Sequence, residues 1–365
     1  METEERPLRC LIAAGGTAGH LLPALAVAEE LERRGAEVSF AGSAGRMEAE
    51  LVAEAGFDFD SYRISGFSRR HLLKLARGLA RAAVAPVSCL RILRRRRPDV
   101  VFGGGGYVAG PMVLAAWLAR IPAALSEADA HLGLANRLAE PFARRIFLAY
   151  PIEAGRRKKF RVVGRPLPKR SRLPEHAQAR ERFGLPNDRP VLLVFGGSQG
   201  SLALNELAVE RFGKRGPAIL HLAGERDYAA LAGRVKRPGY VLTGFTNEFG
   251  AALAACDLVL ARAGGSIWEL AAAGKPALLV PYPYATADHQ TKNARYFVEG
   301  GGAISVPESE LERVPELLLE LLDDPARLRA MSEAMLRLAR PEASEDIARE
   351  LMEMAVEHRE RGRSS

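Results

Sequence analysis

Between Leu258 and Asn293 the chain reads LVLARAGGSIWELAAAGKPALLVPYPYATADHQTKN. Three kinds of chemistry sit in it: a glycine turn, Arg262-Ala263-Gly264-Gly265-Ser266; a carboxylate, Glu269; and two amides, Gln290 and Asn293. A glycine turn that opens a helix exposes backbone N–H groups, which suit an anion and above all a phosphate. Glu269, in the first helical turn, suits the two hydroxyls of a ribose. Gln290 and Asn293 are three apart, share a helix face and suit sugar hydroxyls. For the turn alone, an ordinary βαβ unit with a capping Glu is the competing reading. A second cluster is Gly15-Gly16-Thr17-Ala18-Gly19-His20. It lacks GxGxxG, no acidic residue ends the strand that follows, and the chain contains no GxxxxGK[ST]. A pyrophosphate or phosphosugar therefore fits it better than NAD or ATP. His20 is the one histidine that a glycine loop places at a helix start. There the N–H dipoles disfavour imidazolium and keep the ring neutral, as a general base must be. A helix cap or phosphate contact is the competing role. His289 is the competing base, but its neighbours Gln290 and Asn293 read as sugar contacts.

These residues need strands and helices to aim them. Leu258–Leu260 and Pro276–Val280 are short apolar runs, read as buried strands. Between them Ile267–Ala273 reads as a helix stopped by Gly274. Leu8–Ala14 is a first strand, and Leu21–Arg34 a helix whose Leu21, Leu25, Ala28 and Leu31 form a core face. Pro23 places that helix's first turn. Val100–Phe102 reads as a strand opening into Gly103-Gly104-Gly105-Gly106-Tyr107, where glycines admit a close approach to the backbone. Ala123–Leu125 is a strand ending at Ser126-Glu127-Ala128-Asp129. Val191–Phe195 then restarts the pattern with Gly196-Gly197-Ser198-Gln199-Gly200, an echo of the first glycine loop. The expected fold is α/β: two Rossmann-like, doubly wound parallel-sheet domains facing a cleft, with ligands at the carboxyl ends of the strands. The expected boundaries are 1–160 for the N-terminal domain, 161–172 for a linker within the basic stretch Arg156–Arg172, 173–340 for the C-terminal domain, and 341–365 for a helix packing back towards the first domain.

A chain of 365 residues is too long for one ordinary core. Cys10, Cys89 and Cys256 lie far apart without a CxxC, which argues against a zinc site or a disulfide framework and for a reducing compartment. The N-terminus has no apolar signal region, and the apolar runs fall short of a membrane span. Residues 1–165 hold 26 Lys/Arg against 17 Asp/Glu, or +9, whereas the rest holds 26 against 27, or −1. An anionic partner is therefore expected on the first half. Ser61–Pro98 contains no acidic residue. Within it Arg70, Lys74, Arg77 and Arg81 share one side of an expected helix, with Leu72, Leu75, Leu79 and Ala83 opposite. Either this is a solvated basic face or, with Phe67 as an apolar anchor, an anionic-lipid contact. No aromatic platform accompanies the charges, which argues against nucleic acid. Asp58-Phe59-Asp60 spells a DxD, but no third metal ligand accompanies it, and polar residues around a buried Phe are the favoured reading.

The motifs GGTAGHLLPALAVAEEL, FGGGGYVAGP (Phe102–Pro111, one glycine longer than usual), SEADAHLGLANRLA, VVGRP, FGGSQGS, RAGGSIWELAAAGKPALLVP and ADHQTKNA occur in order between Gly15 and Ala294, within a likeness that extends from Leu8 to about Leu338. Together they resemble the MurG family of GT-B glycosyltransferases. The resemblance implies transfer of N-acetylglucosamine from UDP-GlcNAc to the 4-hydroxyl of undecaprenyl-pyrophosphate-linked MurNAc-pentapeptide, lipid I to lipid II, with inversion and without a metal or other cofactor. It implies a peripheral protein on the cytoplasmic side of the cell membrane. Residue by residue, it implies donor contacts at Thr17, Ala18, Gly19, Asp129, Ser198, Thr246, Gly265, Ser266, Ile267, Glu269, Gln290 and Asn293. Acceptor contacts fall at Gly16, Gly105, Gly106, Tyr107, Glu127 and Asn136, and His20 is catalytic. The membrane contact would be Phe67, Arg70, Leu72, Lys74, Leu75, Arg77 and Arg81. Three departures stand out. The turn before Glu269 is one residue short. Asp129 replaces the family's Asn and loses a donor. Pro168 occupies a position that is basic in some members, leaving Arg165 or Lys169 to carry the charge. The rival readings are another GT-B lipid glycosyltransferase, a UDP-GlcNAc 2-epimerase and a non-enzymatic nucleotide-sugar sensor.

Overall fold

The computed structural model describes residues 6–43, 46–64, 85–152, 158–168, 171, 173–197 and 199–363. The chain forms two compact units, Met1–Pro168 with Pro341–Ser365, and Lys169–Arg340.

In the first unit the strands are β1 (Arg9–Ala14), β2 (Glu37–Ser43), β3 (Asp58–Tyr62), β4 (Val100–Gly105), β5 (Ala123–Glu127), β6 (Arg145–Leu148) and β7 (Phe160–Val162). They pair in parallel in the order β3-β2-β1-β4-β5-β6-β7. Parallel pairing requires crossovers, supplied among others by α1 (Ala18–Arg33), α2 (Arg46–Glu54), the helical residues 85–96 (α3), α4 (Ala109–Leu118) and α5 (Leu134–Ala139). The central strands are buried on both faces, which is why they read as unbroken apolar runs and not as alternation. The order reverses between β1 and β4, so the loops leaving those strands border the crevice where such sheets bind ligands. The last helix, α14 (Ala343–Arg363), belongs to this unit. Its Ile347, Ala348, Leu351, Met354 and Ala355 share a core with Leu21, Val27 and Leu31 of α1.

Two local expectations need correction. Helix α1 begins at Ala18, not Leu21, so Pro23 lies inside it and not in its first turn. Strand β4 runs on through Gly105, so Gly103 and Gly104 are strand residues. A Cβ at Gly104 would lie 2.8 Å from Cβ of Ala24, which shows why this strand cannot carry a side chain where α1 crosses it.

The second unit repeats the plan. Strands β8 (Val191–Phe195), β9 (Ala218–Leu222), β10 (Tyr240–Thr243), β11 (Leu258–Ala261), β12 (Ala277–Leu279) and β13 (Ala303–Ser305) form a parallel sheet in the order β10-β9-β8-β11-β12-β13. The switch point lies between β8 and β11, and so between the loops that begin at Gly196 and Arg262. Helices α6 (His176–Arg182), α7 (Leu202–Phe212), α8 (Glu225–Leu231), α9 (Phe249–Ala255), α10 (Ile267–Ala272), α11 (His289–Glu299), α12 (Val314–Leu322) and α13 (Pro325–Leu338) accompany the sheet.

Candidate functional site

In the first unit the loop after β1 delivers His20 into the first turn of α1. The Thr17 hydroxyl lies 3.0 Å from His20 Nδ1. The ring edge rests on the end of β4, where a Cβ at Gly105 would come within 2.6 Å of Cδ2. Gly105 has φ +117° and Gly106 φ +76°, and a Cβ at Gly106 would strike the Gly15 carbonyl. The glycines at the end of β4 thus admit the protein's own histidine loop. Burial pushes the His20 pKa below its ordinary 6.5, the Arg165 cation pushes the same way, and Asp129 opposes them.

This loop is held from below by a residue the sequence reading passed over. Glu48 of α2 is buried; its carboxylate accepts from the Gly16 N–H and, at 2.5 Å, from the Ser43 hydroxyl. Tyr107 Oη donates to Ser43 Oγ at 3.4 Å, so the loops after β1, β2 and β4 meet around one carboxylate. The Gly16 N–H is therefore committed to Glu48. A lone Glu three residues into a helix carries no sequence signal of such a role.

Glu127 ends β5 and is also buried. Its Oε1 accepts from Asp129 N at 3.2 Å; its Oε2 accepts from Gly133 N at 2.8 Å and Asn136 Nδ2 at 2.9 Å. Burial raises the Glu127 pKa above the usual carboxylate range against the pull of those donors, and Asp129 adds to the rise. Glu127 and Asn136 thus shape the turn that carries Asp129.

In the second unit Thr246, Ser266 and Glu269, which lie on two different loops and a helix, line one cavity with Phe195, Gly197, Leu222, Gly244, Phe245 and Phe249. Glu269 is 8% exposed and accepts from the Ser171 hydroxyl. Thr246 also accepts from Glu248 N at 3.0 Å, fixing the turn into α9. Ser266 is the N-cap of α10, whose Ile267 is fully buried; Gly265 accepts from Trp268 N at 3.3 Å. Gln290 Oε1 accepts from Ala263 N at 3.2 Å and Tyr282 N at 2.9 Å, joining the loops after β11 and β12. Asn293 is 0% exposed, and its amide nitrogen lies 3.4 Å from the Ala263 carbonyl. The pair does share a face of α11, but that face grips the glycine turn. Ser198 lies outside the described residues.

Arg262 is the second residue the sequence reading missed. It is buried, and its guanidinium donates to Ser201 Oγ at 3.0 Å and to the carbonyls of Val280 and Pro281 at 3.2 and 3.3 Å, and pairs with Glu308. It therefore ties the loops after β8, β11 and β12 together. An Arg at the end of an apolar strand, where burial is expected, is the signal that could have found it.

The DxD aspartates are engaged locally: Asp60 pairs with Arg95 and Arg96, and Asp58 pairs with Arg96 at 2.5 Å. Phe67, Arg70, Leu72, Lys74, Leu75, Arg77 and Arg81 lie outside the described residues. Next to them in the chain, Arg94 and Arg97 line a groove with Leu90, Leu93 and Leu118. The adjoining groove holds Arg120 and Trp117, with Trp117 53% and Leu118 54% exposed. Among the described residues no helix is long and apolar enough to cross a membrane.

Two doubly wound parallel-sheet units, each with glycine loops at the carboxyl edge of its sheet, define the GT-B class of glycosyltransferase. The chain belongs to glycosyltransferase family 28, and within it to the MurG family: the family 28 N-terminal domain matches residues 10–148 and its C-terminal domain residues 191–349. It is 37% identical over 355 residues to the UDP-N-acetylglucosamine--N-acetylmuramyl-(pentapeptide) pyrophosphoryl-undecaprenol N-acetylglucosamine transferase of Halothermothrix orenii, covering 92% of this chain and 95% of that protein. It is 41% identical over 323 residues to the enzyme of the same name from Synechococcus elongatus, covering 86% and 87%. Among solved structures, Acinetobacter baumannii MurG superposes with a TM-score of 0.76 at 26% identity, over 95% of this chain and all of that one.

Proposed function

We propose that this protein transfers N-acetylglucosamine from UDP-GlcNAc to the 4-hydroxyl of a polyprenyl-pyrophosphate-linked MurNAc-pentapeptide, with inversion at the anomeric carbon. The observation that carries the reading is the cavity of the second unit, where Thr246, Ser266 and Glu269 converge from separate elements. Thr246 faces the uracil, Glu269 takes the ribose hydroxyls, and the Gly265–Ile267 turn takes the diphosphate. Gln290, with its oxygen committed to the backbone, offers its Nε2 to the sugar, while Asn293 holds the turn from beneath. Thr17, Ala18, Gly19 and Asp129 complete the donor contacts and Ser198 the diphosphate loop. Gly16, Gly105, Gly106, Tyr107, Glu127 and Asn136 shape the acceptor side.

His20 is the base. With Nδ1–H donated to Thr17, Nε2 carries the lone pair. The acceptor oxygen attacks the anomeric carbon, the bond from that carbon to the diphosphate oxygen breaks, and the acceptor's proton passes to Nε2. UDP leaves with the bonding electrons, its charge taken up by backbone N–H groups of the glycine turn. A 2-epimerase would need acid/base carboxylates at the anomeric side, whereas this loop presents an imidazole. The deciding assay is UDP release from UDP-GlcNAc with and without the polyprenyl-linked acceptor. Acceptor-dependent release supports transfer; acceptor-independent formation of the 2-epimer replaces it with epimerisation; neither leaves a sensor.

Glu269→Gln tests the donor site. Losing a charge-assisted hydrogen bond costs about 1.5–3 kcal/mol, or one to two decades in affinity. UDP-GlcNAc binding measured by calorimetry should weaken by that much while acceptor binding is unchanged. Unaltered donor affinity would remove Glu269 from the ribose.

The basic first unit serves an anionic membrane surface, and the exposed Trp117 and Leu118 beside Arg94, Arg97 and Arg120 support this reading. Each basic residue near such a surface contributes roughly 1 kcal/mol. The protein should therefore sediment with vesicles containing anionic lipid and be released by salt. Replacing Arg70, Lys74, Arg77 and Arg81 with Gln should reduce sedimentation and spare UDP-GlcNAc affinity. Equal sedimentation of that variant would return the segment to a solvated face.

A further inference from the structure

Pro23 stands in the interior of α1, where proline ordinarily destabilises a helix. Its ring carries no N–H, so the carbonyl four residues earlier, that of Gly19, lacks its helical donor. The structure fills that vacancy: the Arg165 guanidinium donates to the Gly19 carbonyl across 146 residues of sequence. Gly19 immediately precedes His20, so the contact places the guanidinium one residue from the ring. Arg165 is half-buried.

We propose that Pro23 is a positioning residue: by leaving the Gly19 carbonyl open it creates the anchor that holds the Arg165 cation beside His20. The inference rests on the reading of His20 as the base for its kinetic consequence, but not for its structural one. Burial is the first influence on His20, the Arg165 cation acts in the same direction and Asp129 against both. Fixing Arg165 keeps the imidazole neutral without competing for its Nε2, because the guanidinium spends a donor on the backbone and not on the ring. It also explains why an unfavourable residue sits where an Ala would make a better helix.

The test is Pro23→Ala, which restores a helical N–H that competes with Arg165 for the Gly19 carbonyl. It is paired with Arg165→Gln and the double variant, all in the full-length protein. Thermal unfolding, the ring titration of His20 by NMR (assigned by difference from His20→Gln), kcat with UDP-GlcNAc and acceptor, and UDP-GlcNAc affinity are measured on each. Pro23→Ala should unfold at the wild-type temperature or above it. Its His20 titration should nevertheless move upward, and kcat should fall by about ten- to a hundredfold, the scale of a small displacement in a catalytic geometry. Arg165→Gln should reproduce these changes, and the double variant should add nothing further, since both single changes remove one contact. A chain that is as stable or more so, yet slower, is not what a merely structural proline would give. An unmoved His20 titration in Pro23→Ala would overturn the proposal, as would additive effects in the double variant. If the titration moves and kcat does not, the anchor stands and the assignment of His20 as base falls.

Discussion

Replacing His20 with Ala should lower kcat by about 10²–10⁴-fold, the usual cost of removing a general base, while the UDP-GlcNAc dissociation constant changes little. The expectation follows from where the ring sits. It is held by Thr17 at Nδ1, its edge is against Gly105, and burial and then the Arg165 cation push its pKa below 6.5. A base must be neutral to act, so wild-type kcat should decline only as pH falls through a value below that of an ordinary histidine. Above that point the rate should be flat until another group titrates. In the variant this acid limb should vanish along with most of the rate. Near-normal kcat with only a raised KM for the donor would make His20 a binding residue. The next candidates would be Asp129 and Glu127. Glu127 is the poorer of the two, because both its oxygens are occupied by donors from its own turn. Its raised pKa also leaves it protonated over a wider range than an ordinary carboxylate.

The strands were legible because parallel sheets bury both faces, so β1, β4, β8 and β11 appear as short apolar runs, the first three ended by glycine. The loops that matter follow those strands at the two switch points, and their glycines could be read as places of close approach. What approaches them could not be read. Gly105 and Gly106 give way to His20 and Gly15, and Gly104 to Ala24. Tertiary contacts of this kind leave no trace in local spacing. Helix α1 begins earlier than Pro23 suggested, and the Gly19 carbonyl, which Pro23 cannot bond, accepts instead from Arg165, a residue 146 positions away. Glu48 and Arg262 went unnoticed for a related reason. Glu48 is a single charged residue without a motif, Arg262 only opens the glycine turn, and each becomes important only when the fold closes backbone donors or acceptors around it. Asn293 shows the reverse: a motif residue read as a sugar contact proves fully enclosed behind the turn it supports.

A chain ending at Arg340 should lose the fold of its first unit, although it retains every residue assigned to chemistry. Helix α14 lies beyond that point, yet Ile347, Leu351 and Met354 are 0%, 0% and 3% exposed in the core they share with α1, β1 and β4. Burying side chains of this size contributes roughly 1.5–3 kcal/mol each, so the three account for roughly 5–9 kcal/mol. That is comparable to the whole stability of a typical domain, about 5–15 kcal/mol. The helix end is also fastened by charge. Asp99 accepts from Arg359 at 2.7 Å, from Arg6 at 2.8 Å and from the Arg9 N–H at 2.8 Å. Burial works to raise the Asp99 pKa, but those donors outweigh it and hold the carboxyl below its usual 3.8. A depressed carboxylate contributes stability above its unfolded value and loses it as pH falls through the lowered one. This fastening should therefore persist at neutral pH and fail only in strong acid. A single substitution, Leu351→Ala, should cost about 2–5 kcal/mol through the cavity it leaves. Denaturant unfolding should show it as a lower midpoint for the transition of the first unit, with UDP-GlcNAc affinity of the second unit preserved. For the truncated chain, that transition should be missing altogether. If it instead unfolds with the wild-type midpoint, α14 is an accessory layer, and β1, β4 and α1 close their core without it.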